Sequence, residues 1–130
     1  MSVSLPLPLL TLLPLLLVDD EEGIRTVLAL LLADMGCAVR TAASGAEALA
    51  MVRTDPPAVV LTDVRMPGMD GMDLLRAVKA EFPAVEVLVL TGHGDMELAV
   101  SSLRFGAGDF LTKPVAPEAL EVALDRARQR

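Results

Sequence analysis

Asp19, Asp20, Asp63, Thr91 and Lys113 are the residues whose types could do chemistry together. Carboxylates are hard oxygen donors for a metal, a hydroxyl donates to an anionic oxygen, and an ammonium is a compact positive charge. Each alone has an ordinary reading: an aspartate in a turn or helix cap, a hydroxyl at a buried edge, a lysine in solvent. Their shared position sets them apart. Each ends or closely follows a short strand-like run: LLLV before Asp19 and Asp20, VVLT before Asp63, VEVLVL before Thr91 and DFLT before Lys113.

Those runs alternate with patterns of helical period, the mark of parallel α/β architecture. Residues 15–18 read as a buried first strand, with Pro14 just ahead of it, where a missing N–H is tolerated. Ile24, Val27, Leu28, Leu31, Leu32 and Met35 then recur at helical spacing, and Gly36 stops that helix. Residues 37–42 form a weaker second strand. Ser44 and Glu47 make the capping box of a second helix, which Asp55, Pro56 and Pro57 end. The second half repeats the scheme, with strands at 58–63, 85–91 and 109–112 and a helix at 71–80. A fourth helix follows Asp95 as its cap, and Pro117 opens the last at its first position. A closed barrel needs eight such units, so the pattern predicts an open parallel sheet with helices on both faces, three layers deep. Ligands of such sheets bind beyond the carboxyl ends of the strands, where all five residues fall.

The rest of the composition excludes several function classes. A chain of 130 residues suits one domain. It has no Trp or Tyr and 3 Phe, so the core must be aliphatic and platforms for stacking nucleic-acid bases are absent. A net charge of −7 argues against direct nucleic acid binding by this chain. The single Cys37 cannot form an internal disulfide, which suits a reducing cytoplasm, and its expected place is the core. The Leu/Pro-rich start is not a membrane span, because Pro6, Pro8 and Pro14 interrupt it and four acids follow at 19–22. It also lacks the basic residues of an export signal, the first being Arg25. Residues 1–14 are expected to pack on the sheet edge or on another copy of the chain.

Gathering the acids has an electrostatic consequence. Carboxylates within ~4 Å of one another repel by roughly 1 to 4 kcal/mol per pair, depending on the effective dielectric. A cation is therefore expected among Asp19, Asp20 and Asp63. With oxygen ligands and no His or Cys partner, a hard ion such as Mg²⁺ is favoured over zinc or copper.

Four stretches, in this order, carry a family resemblance: VDDE (18–21), VLTDVRMPGMDG (60–71), LTGHGD (90–95) and GAGDFLTKP (106–114). Over residues 15–130 the chain resembles the receiver domains of two-component response regulators, in particular those attached to transcriptional activators or hybrid histidine kinases. The resemblance implies a flavodoxin-like fold, a five-stranded parallel sheet of order 2-1-3-4-5 with five helices. It implies a cytoplasmic phosphoprotein that is not an enzyme on outside substrates, but catalyses its own phosphoryl transfer and dephosphorylation.

In that family's terms Asp63 accepts a phosphoryl group from the phosphohistidine of a sensor histidine kinase or phosphotransfer protein. Asp20, Asp63 and the backbone carbonyl of Arg65 would bind Mg²⁺, with Asp19 acting through water. Lys113 and Thr91 would hold the phosphoryl oxygens. Thr91 moving inward would open a space into which Phe110 turns. The resemblance also implies a cis peptide between Lys113 and Pro114, a turn after the third strand permitted by Gly68 and Gly71, and homodimer or output-domain contacts on the face of helix four, strand five and helix five.

Rival readings fit less well. A haloacid-dehalogenase-like phosphatase needs a second acid two residues after its nucleophile, where this chain has Arg65. A flavodoxin-like FMN binder needs a Ser/Thr/Gly loop after the first strand, where DDEE repels phosphate. A phosphorylation-independent interaction module has no need of the intact set of five. His93 and Phe105 read as surface side chains, the latter on the face receivers use for partners, and the RARQR ending complements the last helix's dipole.

Overall fold

In the computed structural model, which describes residues 12–130, alternation at period two governs the sheet. The strands are β1 (Pro14–Val18), β2 (Ala38–Ala42), β3 (Val59–Asp63), β4 (Glu86–Thr91) and β5 (Asp109–Thr112). The helices are α1 (Glu22–Asp34), α2 (Gly45–Thr54), α3 (Gly71–Glu81), α4 (Met96–Arg104) and α5 (Pro117–Gln129). All strand pairs are parallel, and the order is β2-β1-β3-β4-β5. The expected fold is the observed one.

Successive strand residues point to opposite faces, and here both faces are covered. Leu15 and Leu17, Val59 and Leu61, Leu88 and Leu90, with Leu111, share one core with Leu28 and Leu32 of α1 and Leu120 and Leu124 of α5. Leu16 and Val18, Val60, Val87 and Val89 share the other with Leu49 and Val52 of α2 and Leu74, Leu75 and Val78 of α3. That two-sided burial explains why β1, β3 and β4 read as continuous aliphatic runs.

Local details depart from the expectations. β1 begins at Pro14, a first-strand position that needs no ladder N–H, and Leu13 before it is already in the core. The Leu12 N–H bonds the Gly36 carbonyl at 2.7 Å, so the chain is anchored ahead of the expected start of the domain. Residues 1–11, where most of the expected apolar extension falls, lie outside the described residues. At α2, Ser44 Oγ accepts from Glu47 N as a cap should, but Glu47 reaches the N–H of Ala43 rather than that of Ser44. The reciprocal box forms instead at α3, between Asp70 and Asp73. Asp95 stands at the start of α4 but its side chain bonds no helix N–H.

The candidate phosphoacceptor and metal site

Backbone pairing fixes where the acids emerge. The β1–β3 and β3–β4 registers set Val18 beside Thr62 and Asp63 beside Leu90, and the Asp19 N–H is held by the Ala42 carbonyl at 3.2 Å. Just beyond β3, Val64 N bonds Leu90 O and Gly71 N returns to Val64 O at 2.8 Å, which folds the start of α3 against the strand end. A Cβ at Gly71 would run into the Asp63 carbonyl oxygen, so only glycine permits that approach. Gly68, at φ +72°, makes the left-handed turn between them.

Asp19 is fully buried, Asp63 half-buried and Asp20 exposed. Oxygens of all three lie within 4.8 Å of one another. Asp19 Oδ1 accepts from Glu21 N at 2.9 Å, and its backbone carbonyl accepts from Arg25 Nη1 at 2.8 Å. Asp63 Oδ1 accepts from Arg65 N, long at 3.4 Å. From the far side Lys113 Nζ donates to Asp63 Oδ2 at 2.8 Å and to Asp19 Oδ2 at 3.3 Å. Burial works to lower the pKa of Lys113, but the hydrogen bonds and charges of Asp63 and Asp19 outweigh it and the net shift is upward. The donor set fits a hard divalent cation: carboxylates only, crowded, with one exposed member and a single ammonium to offset them.

The remaining residues border this cluster. Thr91 is buried, and its hydroxyl donates to the Leu111 carbonyl at a long 3.4 Å. The Lys113 N–H is tied to Thr91 O at 2.8 Å, and the Lys113–Pro114 peptide bond is cis. Phe110, half-buried on β5, packs against the core beneath α2 and α3 together with Leu98 of α4. His93 is exposed in the loop after β4. Phe105 is exposed too, but the Arg76 guanidinium sits 3.9 Å from its ring centroid, a cation–π contact invisible in the sequence.

A further contact lies at the rim. The Arg65 side chain crosses to Asp95, with Nε at 2.8 Å and Nη2 at 2.7 Å from Oδ1. Hydrogen bonding to Arg65 holds the Asp95 carboxyl below the usual carboxylate range, against the opposing effect of burial. The sequence signal was the pairing of a basic and an acidic residue in adjacent loops, too common to single out.

Comparison with known proteins supplies the context for this geometry. The family model described as the response regulator receiver domain matches residues 15–125. The chain is 41% identical over 111 residues to the DNA-binding transcriptional regulator NtrC of Klebsiella pneumoniae, covering 85% of this chain and 24% of that regulator. It is 36% identical over 120 residues to an NtrX-like response regulator of Rickettsia bellii, covering 91% of this chain and 25% of the relative. The chain thus spans about a quarter of the length of these relatives. Among solved structures, a receiver domain protein from Clostridium thermocellum superposes with a TM-score of 0.86 at 38% identity, over 89% of this chain and 94% of that one. The NtrX receiver domain of Brucella abortus gives 0.85, also at 38% identity, over 88% and 98%.

Receiver domains are signalling domains that bind Mg²⁺ at an acidic aspartate cluster and pair with histidine kinases and output domains. No helix among the described residues is long and apolar enough to cross a membrane. The match over residues 15–125, the sheet order and the acidic cluster agree: this chain belongs to the response regulator receiver family, as a phosphorylation-dependent signalling switch of the NtrC/NtrX type.

Proposed function

We propose that Asp63 is the phosphoacceptor. Its carboxylate oxygen attacks the phosphorus of a partner's phosphohistidine, forming an O–P bond as the N–P bond breaks and the imidazole leaves. The observation that carries this reading is Lys113 Nζ at 2.8 Å from Asp63 and 3.3 Å from Asp19. A mobile ammonium already at the acceptor oxygen can follow the negative charge onto the incoming phosphoryl oxygens. Asp20, Asp63 and the Arg65 carbonyl would hold Mg²⁺, with Asp19 acting through water; the ion would neutralise charge on the transferring group. Phosphorylation adds approximately −1.5 to −2 charge and three acceptor oxygens. Thr91, whose hydroxyl is held by a long bond to the Leu111 carbonyl, would exchange it for a phosphoryl oxygen, and Phe110 would follow into the space beside α4.

The partner surfaces follow from exposure. Beside Lys113 lies an apolar cleft of about 900 Å³ lined by Ile24, Val27, Leu31, Val115 and Pro117, with Val27 65% exposed. It suits the apolar flank of the kinase or phosphotransfer protein that presents the phosphohistidine. Met96, Val100, Leu103 and Phe105 of the α4 region and Val122 of α5 are also exposed, and they offer a second face for a homodimer or an output domain. Beryllofluoride with Mg²⁺ is expected to move the amide resonances of Phe110 and α4, and Asp63→Asn to abolish the response completely. An unchanged wild-type spectrum would refute the switch.

A further inference from the structure

Four of the five helices begin from a residue with extended backbone: Glu21, Ser44, Asp70 and Ala116. α4 begins differently. Asp95 has φ −105° and ψ 19°, and although aspartate is among the strongest capping types its carboxylate bonds no N–H of α4. At α3 the same residue type, Asp70, does cap. The Asp95 carboxylate is committed to Arg65 instead, through two N–H groups at 2.8 and 2.7 Å.

The two ends of this pair stand on the two loops that matter most. Arg65 lies two residues beyond Asp63, and Asp95 four beyond Thr91. Among the described residues the Arg65 backbone makes a single bond, N–H to Asp63 at 3.4 Å, so the guanidinium is the firmer anchor of the residue. Groups outside a metal's ligand shell that hold a ligand in place contribute to its affinity.

We infer that Asp95 is a positioning residue: through its ion pair with Arg65 it fixes the loop carrying the Arg65 carbonyl to the loop carrying Thr91. Resting on the metal-site reading above, this couples occupancy of the acidic cluster to the position of the first turn of α4, and by reciprocity the reverse. Movement of Thr91 toward a phosphoryl group carries Asp95 with it and strains the tie. Release of Asp95 leaves its carboxylate able to cap α4.

Charge alone would act with the opposite pattern, which makes the tie testable. Removing a cation near a Mg²⁺ site tightens binding, and removing an anion weakens it. The experiment titrates the full chain with Mg²⁺ alone, by calorimetry, in wild type, Arg65→Ala, Asp95→Asn and the double variant; Arg65→Ala keeps the backbone carbonyl. Both single variants are expected to weaken binding by about two- to fivefold, the range of an ion pair with one member in solvent, and the double variant no further than the singles. In the metal-free chain Asp95→Asn is expected to speed amide exchange at Arg65 and Met66. Tighter binding in Arg65→Ala with weaker binding in Asp95→Asn, additive in the double variant, would overturn the tie, as would no change in either. A wild-type chain that bound no Mg²⁺ would bring down the metal-site reading itself, and this inference with it.

Discussion

Two cations serve the same end of the sheet and are built in opposite ways. Lys113, with 22% of its side chain exposed, reaches inward to Asp63 and to Asp19, which is wholly buried. Arg65, 70% exposed, reaches sideways along the rim to Asp95. The first is a compact charge on a flexible stem, able to shift among oxygens that a metal or phosphoryl group would claim; the second is a planar fork that holds one geometry. Burial separates their roles. At the centre, desolvation opposes the charge of Lys113 and two carboxylates must outweigh it, whereas at the rim the bond to Asp95 is the largest influence on Arg65.

The largest expected effect is at the centre. Lys113→Met removes the ammonium that bonds both Asp19 and Asp63, and the metal-free chain is expected to lose roughly 1 to 3 kcal/mol, between the values of exposed and buried pairs. Mg²⁺ should then bind more tightly than to wild type and restore much of the loss, because it meets no competing ammonium. Urea unfolding with and without Mg²⁺ measures both. The pKa of Lys113 is raised in the folded state, so its contribution is full below the ordinary lysine value of 10.5 and lost as pH rises through the higher folded value. Wild type and Lys113→Met should therefore converge at strongly alkaline pH. Equal stability at neutral pH would show that Lys113 does not offset the cluster.

The contrast also explains what the sequence could and could not disclose. Strands buried on both faces leave unbroken aliphatic runs, and the polar residue that ends each run marks the sheet edge; Asp19, Asp63, Thr91 and Lys113 were legible for that reason. Pro14 in β1 was not, because a proline ahead of a strand and one at its first position look alike in sequence. The α3 box is not legible in the sequence because Asp73 takes the place usually held by Glu or Gln. Asp95 looked like a cap because it has the residue type and the position of one; only the fold reveals that Arg65, 30 residues away, holds its carboxylate. Contacts between loops leave no periodic trace.

Cys37 isolates the effect of burial, since it lies in the core on the α1 and α5 side of the sheet. Burial raises its thiol from 9.0 to about 11, with a backbone hydrogen bond pulling weakly the other way. Between those values the unfolded chain loses a proton that the native chain keeps, so stability should fall as pH rises from 9.0 toward about 11. The loss is on the order of 2 kcal/mol. Cys37→Ala should flatten this part of the pH–stability curve while leaving the loss from Lys113 at higher pH. A curve unchanged by the substitution would mean that the thiol titrates alike in both states.

The smallest effect is expected at the rim, on the acid side. Because Arg65 holds the Asp95 carboxyl below its ordinary value of 3.8, the folded state gives up that proton more readily than the unfolded one. The pair's contribution is therefore present above 3.8 and lost as pH falls through the lower folded value, the reverse of the alkaline cases. Arg65→Ala should shift acid unfolding slightly toward higher pH. High salt should shrink this difference, because the guanidinium is mostly in solvent, and should leave the Lys113→Met difference nearly intact, because Asp19 is not. Acid and urea titrations of the two variants at low and high salt measure the two screenings side by side. Equal salt sensitivity would erase the distinction between a buried centre and an exposed rim.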